Sequence, residues 1–252
     1  MSSILEARNV WFTYDSRNYT LKDISLSIEA GKMYMVFGRS GAGKTTLLKI
    51  LKGILKPSRG VVLFNGRPTT SIDTAKRAYS VIGYIPQGFG IVSNISVLDN
   101  VLVGALSRVP LLHSILGQFP KEERDRAEEI LEIMGLAQFK YQKVSQLSGG
   151  QRQRVAIARA LMQKPQIILA DEFVSQLDPV TAIEVLDVFR RLADERGIAT
   201  VITSHDIHLA SRYADKVLVL RDGEFKLCRD GRSVSESDLI AAMRETFLES
   251  SR

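Results

Sequence analysis

Apolar residues recur at every second position near the start of the chain, over 4–14 and again over 21–28, where Ile24, Leu26 and Ile28 share one face. That period marks β-strands. The polar turn Glu29-Ala30-Gly31-Lys32 leads into an apolar run over 33–37, read as a third strand. The pattern then predicts a helix over 44–54, a turn at Pro57-Ser58-Arg59-Gly60 and a strand over 61–64 that ends in the turn signal Asn65-Gly66. A short strand follows over 82–87, its last residue, Gln87, standing at a loop. From there to about 164 the pattern is mostly helical. One helix opens at Pro120, carries Glu122 and Glu123 in its first turn and stops at Gly135. Another starts at Ser148 and places Val155, Ala158, Leu161 and Met162 at helical spacing. Strands return over 167–170 and 199–203, separated by a helix that begins at Pro179 and ends at Arg196-Gly197. A helix over 207–214, strands over 216–221 and 224–229 and a short terminal helix complete the chain.

Strands separated by helices predict a mainly parallel α/β sheet, and the all-helical middle predicts a helical subdomain inserted into it. We read one domain over 1–252, with a core of about 1–86 and 165–252 and the helical subdomain over about 87–164. Composition changes this picture little: 45% hydrophobic and 25% charged residues are ordinary for a soluble globular protein. A formal charge of +6 suits a polyphosphate ligand, and suits many soluble proteins equally well. No Lys/Arg block argues for nucleic acid. Cys228 is the only cysteine, so no internal disulfide can form, and a reducing compartment is expected. The N-terminus shows no basic stretch followed by an apolar core, and no run of about 18 apolar residues occurs. The nearest candidate, 97–119, is interrupted by Asp99, Asn100, Arg108, Pro110 and His113. The chain is not expected to span a membrane by itself.

Candidate chemistry gathers around Gly38-Arg39-Ser40-Gly41-Ala42-Gly43-Lys44-Thr45-Thr46. A strand, a glycine-rich loop and a helix in that order make a phosphate cradle. Glycines let successive N–H groups turn toward one anion, and the helix adds its positive end. Lys44 can reach the outer phosphates and the Thr45 hydroxyl can sit on Mg²⁺. The bland alternative is a Gly-rich turn that only caps a helix. A second stretch, Ile167-Ile168-Leu169-Ala170-Asp171-Glu172, delivers two carboxylates at the strand edge where α/β sheets place ligands. Alone it is a weak signal; beside Lys44, Asp171 can hold the Mg²⁺ hydration shell and Glu172 can polarise an attacking water. Tyr14 lies on the same side of its strand as Phe12 and offers a flat surface for a base, against simple packing. Third, in Leu147-Ser148-Gly149-Gly150-Gln151 the Ser148 hydroxyl can cap the following helix while the glycines expose its N–H groups, a second anion site.

These stretches, in this order, resemble the ATPase subunits of ABC transporters, and the resemblance runs over essentially the whole chain. It implies a RecA-like P-loop NTPase core with an N-terminal antiparallel β part and an inserted α-helical subdomain. It implies ATP as the ligand, and a head-to-tail dimer in which each ATP lies between one copy's phosphate loop and the opposite copy's Leu147–Gln151 signature. Ser148 and Gly150 then touch the partner's nucleotide, with Gly149 and Gln151 beside them and Asp178 from the next loop. By the same resemblance Tyr14 stacks on adenine, His205 senses the γ-phosphate, and Gln87 contacts Mg²⁺ and water and relays closure to a membrane partner. One departure stands out: such families commonly carry Asp-Glu-Pro, whereas here Asp171-Glu172 is followed by Phe173, with Gln176 just before Leu177-Asp178. That puts the cross-dimer contacts of this loop in doubt and leaves the acid pair intact.

One cassette, about a hundred residues between phosphate loop and signature and no sustained heptads speak for an importer subunit, against the two-cassette translation factors and the coiled-coil ATPases of chromosomes and DNA repair. The resemblance implies transmembrane permease subunits, a periplasmic or extracellular substrate-binding protein, no nucleic acid, and a place on the cytoplasmic face of a membrane, the bacterial inner membrane. The stretch from Ser96 to Gly104, the segment from Arg108 to Arg124, Val174, and Arg212-Tyr213-Ala214-Asp215 look most similar to the phosphonate-importer group. Phosphonate or phosphite is therefore the expected cargo, with another small ion or solute as the alternative. Leu111, Leu112, Ile115, Leu116 and Phe119 either pack on the helical subdomain or line a groove for a permease helix.

Overall fold

The computed structural model describes residues 3–110, 117–173 and 178–244. Leu111, Leu112, Ile115 and Leu116, and the 174–177 stretch with Val174 and Gln176, lie outside the described residues.

The elements are β1 (Ser3–Thr13), β2 (Tyr19–Glu29), β3 (Met33–Phe37), α1 (Lys44–Lys52), β4 (Arg59–Phe64), β5 (Arg67–Pro68), α2 (Ile72–Val81), β6 (Ile82–Ile85), α3 (Val97–Leu102), α4 (Lys121–Ile133), α5 (Gly149–Met162), β7 (Ile167–Ala170), α6 (Pro179–Arg196), β8 (Ala199–Ser204), α7 (Ala210–Tyr213), β9 (Lys216–Arg221), β10 (Glu224–Asp230) and α8 (Glu236–Met243). Strands β2-β1-β4-β5 form an antiparallel sheet. The larger sheet runs β10-β9-β3-β8-β7-β6, parallel except for the edge strand β10. This is the α/β architecture with an antiparallel N-terminal part that the sequence implies.

The period-two pattern decides the layering. On β3, Met33, Met35 and Phe37 enter one apolar cluster, with residues of α3, α4, α5 and α6. Tyr34 and Val36 enter the other, with α1 and the antiparallel sheet. Both faces of the central strands are therefore covered, as parallel sheets require. Neighbouring strands β3, β8, β7 and β6 are parallel, with Phe37 opposite Ser204, Ala170 opposite Ile202 and Ile85 opposite Ala170. Their C-terminal ends therefore release the loop at 38–43, His205, Asp171-Glu172 and Gln87 along one edge of one sheet.

Two elements differ from the sequence reading. Helix α1 stops at Lys52, two residues early, because Gly53 turns left-handed (φ 83) and its N–H closes on Ile50 and Lys49 carbonyls. Helix α2 was not anticipated, although Ile72, Ala75, Ala78 and Tyr79 fall at helical spacing; of its residues only Ala78 is buried, while Ile72 and Tyr79 are exposed. Ser71 caps it by accepting from the Thr74 N–H. Among the described residues no helix is long and apolar enough to cross a membrane.

Candidate active site

The chain leaves β3 buried and must turn sharply into α1. Gly43 makes that turn at φ 104, where a side chain would be strained and its Cβ would stand 2.8 Å from Leu21 Cδ2 and 3.0 Å from the Thr20 carbonyl. Gly43 supplies no side-chain cap, so the first N–H groups of α1 face the hollow of the loop. Arg39, Ser40 and Gly41 are exposed on its outer turn, Gly38 and Ala42 are buried, and Thr45 is half-buried beside Lys44. Lys44 itself is almost wholly buried. Its ammonium donates to the Gly38 carbonyl at 2.8 Å and the Arg39 carbonyl at 3.2 Å, and lies 3.6 Å from Glu172 Oε1. Burial holds its pKa below the ordinary lysine value, with Glu172 pulling the other way.

The carboxylates occupy two different environments. Asp171 is 1% exposed, its N–H bonded to the Ile85 carbonyl and its Oδ1 accepting from the Thr203 hydroxyl at 3.0 Å. The same hydroxyl accepts the Glu172 N–H at 2.7 Å, so one threonine of β8 fixes both acids. Among the described residues Asp171 Oδ2 is buried with no hydrogen bond, an acceptor of the kind a cation's water shell would fill. Burial, then the Asp171 charge, pushes the neighbouring Tyr84 phenol up to about 12. Glu172 turns left-handed (φ 46), which swings its side chain out of the sheet line. There it accepts from Gln87 Nε2 at 2.7 Å and lies 2.8 Å from His205 Nε2. Burial tends to raise its pKa, but His205 and Lys44 together hold it below the ordinary glutamate value. His205 and Lys44 are 3.5 Å apart, two donors converging on one carboxylate.

The fold thus brings together Lys44, Gln87, Asp171, Glu172 and His205. The His205 side chain is 39% exposed, so it is not a core histidine. Tyr14 is 64% exposed, edge-on to Phe12, and its hydroxyl lies 3.2 Å from the Thr46 hydroxyl at the mouth of the loop. The remaining expected residues serve their own helices. Ser148 accepts from the Gln151 N–H and donates its own N–H to Gln151 Oε1, a capping box at the start of α5. Asp178 caps α6 by accepting from the Thr181 N–H. Gly149 stands in open space, whereas a Cβ on Gly150 would meet Thr181 at 2.7 Å.

Sequence reasoning missed three supporting residues. Thr203 is one of three polar residues of β8, with Thr200 and Ser204, so its polarity alone does not single it out. Gln153, wholly buried in α5, donates to the Phe173 carbonyl at 2.5 Å. Arg159, two turns on, donates to the Phe89 and Gly90 carbonyls just beyond Gln87. Nothing in their spacing distinguishes the last two from a solvated helix face.

A family profile described as ABC transporter matches residues 21–175, more than half of the chain. The Phosphonates import ATP-binding protein PhnC of Treponema denticola is 38% identical over 239 residues, covering 94% of this chain and 93% of that protein. Among solved structures, CbiO1 of Clostridium perfringens, part of the ABC transporter complex CbiONQ, superposes with a TM-score of 0.82 at 30% identity, covering 96% of this chain and 94% of its own. The dimeric post-hydrolysis state of the ATP-binding cassette MJ0796, bound to ADP and Pi, does so with a TM-score of 0.78 at 32% identity, covering 91% of this chain and all of its own. With its phosphate loop, acid pair and signature helix in the places just described, the chain belongs to the ABC transporter family.

Proposed function

We propose that the chain is the ATP-hydrolysing subunit of an ABC importer and that it works as a head-to-tail pair. The observation that carries this is the meeting of Lys44, Gln87 and His205 on the Glu172 carboxylate beside the phosphate loop. These donors hold Glu172. When ATP enters, its γ-phosphate is the stronger acceptor for Lys44 and His205, and Glu172 is released to take a proton from the attacking water. Residues 38–46 cradle the phosphates and Tyr14 stacks on the base. Mg²⁺, when bound, neutralises the charge shared by the β- and γ-phosphates. The Thr45 hydroxyl, Gln87 and the Oδ2 of Asp171, which has no hydrogen bond among the described residues, fit it, being oxygen donors with a single carboxylate beside the phosphates. Ser148, Gly149, Gly150, Gln151 and Asp178 close the nucleotide site of the opposite copy. In this reading 87–164 is a helical subdomain set into the core of 1–86 and 165–252.

The cargo we propose is phosphonate or phosphite, on the strength of relatives named for phosphonate import at 38% identity along almost the whole chain. Another small ion or solute is the alternative. The partners are a permease, reached from the cytoplasmic face of the membrane, and through it a substrate-binding protein. An apolar groove lined by Ile50, Leu55, Val62, Tyr79 and Ser107 supports such docking.

Glu172→Gln tests the chemistry. It removes the base while keeping the shape, so we expect MgATP to bind and turnover to fall at least ~10²-fold, with an ATP-bound dimer accumulating on size exclusion. Near-normal turnover would remove Glu172 from the role of base. Stimulation of the reconstituted transporter's ATPase by alkylphosphonate or phosphite, against sulfate and other small anions, tests the cargo.

A further inference from the structure

Three aromatic rings form a chain behind the acid pair. Phe173, directly after Glu172, is 1% exposed. Its ring meets Phe89 edge-on at 5.9 Å and Phe189 of α6 edge-on at 5.8 Å. Phe89 lies two residues beyond Gln87 in the loop that leaves β6. The two outer loops therefore touch twice: in front through the 2.7 Å hydrogen bond from Gln87 to Glu172, and behind through the Phe89 and Phe173 rings.

The backbone at each ring is pinned from α5 by a different side chain. Gln153 holds the Phe173 carbonyl, and Arg159 holds the Phe89 carbonyl at 2.8 Å. Both loops also run through left-handed residues, Glu172 at φ 46 and Phe89 at φ 68. Such conformations persist only where surrounding contacts impose them. Edge-to-face rings fix separation and angle together, which a flexible aliphatic contact does not.

We propose that Phe173 is a positioning residue for the hydrolytic step: through Phe89 it sets the distance between the Gln87 and Glu172 loops, and so the aim of the Glu172 carboxylate. This rests on the reading that Glu172 activates water. Phe173 touches neither nucleotide nor water in this role.

The test is a cycle of Phe173→Leu and Gln87→Ala, alone and combined, read as kcat, KM for MgATP and thermal midpoint. Leucine keeps the site apolar and most of its volume but removes the ring. We expect Phe173→Leu to lower kcat roughly 10-fold, less than the ~10² of a full 1 Å misplacement, with KM within about 2-fold. In the Gln87→Ala background the same change should lower kcat little further, because the Gln87–Glu172 hydrogen bond through which the loop spacing aims the carboxylate is already gone. Phe89→Leu should reproduce the kcat loss, and it stands in for Phe173→Leu if that variant does not fold. Unchanged kcat per folded molecule in Phe173→Leu or in the substitute Phe89→Leu, or an undiminished further loss in the Gln87→Ala background, would overturn the proposal. Failure of the base reading shows separately, as turnover surviving Glu172→Gln. Phe173→Tyr, with its ring restored and a buried hydroxyl added, should recover more of kcat than leucine does even where it melts lower; the reverse order would mark a purely structural residue.

Discussion

Thr203 shows how one buried hydroxyl can serve two acids. It donates to Asp171 Oδ1 and accepts the Glu172 N–H, so its removal orphans an acceptor and a donor in the same buried place. We expect Thr203→Val, nearly the same shape, to lose about 2–4 kcal/mol of stability, the cost of two unsatisfied buried groups. Turnover should fall as well, since both carboxylates lose their anchor. Urea unfolding with parallel ATPase assays on Thr203→Val and Thr203→Ser would check this, serine keeping most of both quantities. Valine without effect would mean that Asp171 and the Glu172 backbone are held by other groups. Lys44, Asp171 and Glu172 were legible in the sequence because a glycine-flanked lysine and a strand-ending acid pair have few other uses together. Thr203, Gln153 and Arg159 were not, since their partners are backbone and carboxylate groups that only the folded register brings near.

At the scale of elements, α1 and α2 are joined by a lysine that the sequence places on an ordinary helix end. Lys52 is 5% exposed and donates to the Tyr79 and Ile82 carbonyls, with its ammonium 3.9 Å from the centre of the Tyr79 ring. Burial pushes its pKa down to about 8. The folded value lies below the unfolded one of about 10.4, so between these values the unfolded chain holds a proton that the folded chain has lost. Stability from this group therefore rises with pH across that window, and below it the folded state bears the full cost of a buried charge. We expect the stability difference between the native chain and Lys52→Met to move toward the native chain by about 1–3 kcal/mol from pH ~7.5 to ~10. Denaturant unfolding of both at the two pH values measures it. A constant difference would show that Lys52 keeps its proton throughout. Helix α2, which carries one side of this link, escaped the sequence reading because its apolar stripe is thin, with only Ala78 buried, and the contact of Tyr79 with Lys52 exists only in the folded chain. The capped helices α5 and α6 were read almost to the residue, since Ser148, Asp178-Pro179 and Gly197 act locally and need no tertiary partner.

For the whole molecule, the phosphate loop and the Ser148 helix end, proposed above as two anion sites, are separate in one chain, and Ser148 is engaged with Gln151 rather than with Lys44 or Glu172. Two chains arranged head to tail would pair one site of each. We expect Ser148→Arg to bind nucleotide to the isolated chain nearly as the native protein does, because its own loop is unchanged. It should abolish hydrolysis and dimer closure, since bulk and positive charge enter the space of the partner's γ-phosphate. Equilibrium nucleotide binding beside size exclusion with ATP distinguishes the cases. A loss of affinity as severe as in Lys44→Ala would rule out half-sites shared between copies. The sheet order that sets these sites was foreseeable as parallel α/β, whereas which strands would be neighbours was not, because strand order depends on crossovers that no local pattern encodes.

The ammonium of Lys44 rests on the carbonyls of Gly38 and Arg39, the loop it must later share with a nucleotide. The consequence concerns time rather than affinity. In the proposed cycle the lysine returns to those carbonyls when products leave, and we expect the loop to keep its shape through them. On that reading reloading needs no refolding between turnovers, and nucleotide arrival is expected to set the empty interval of each cycle.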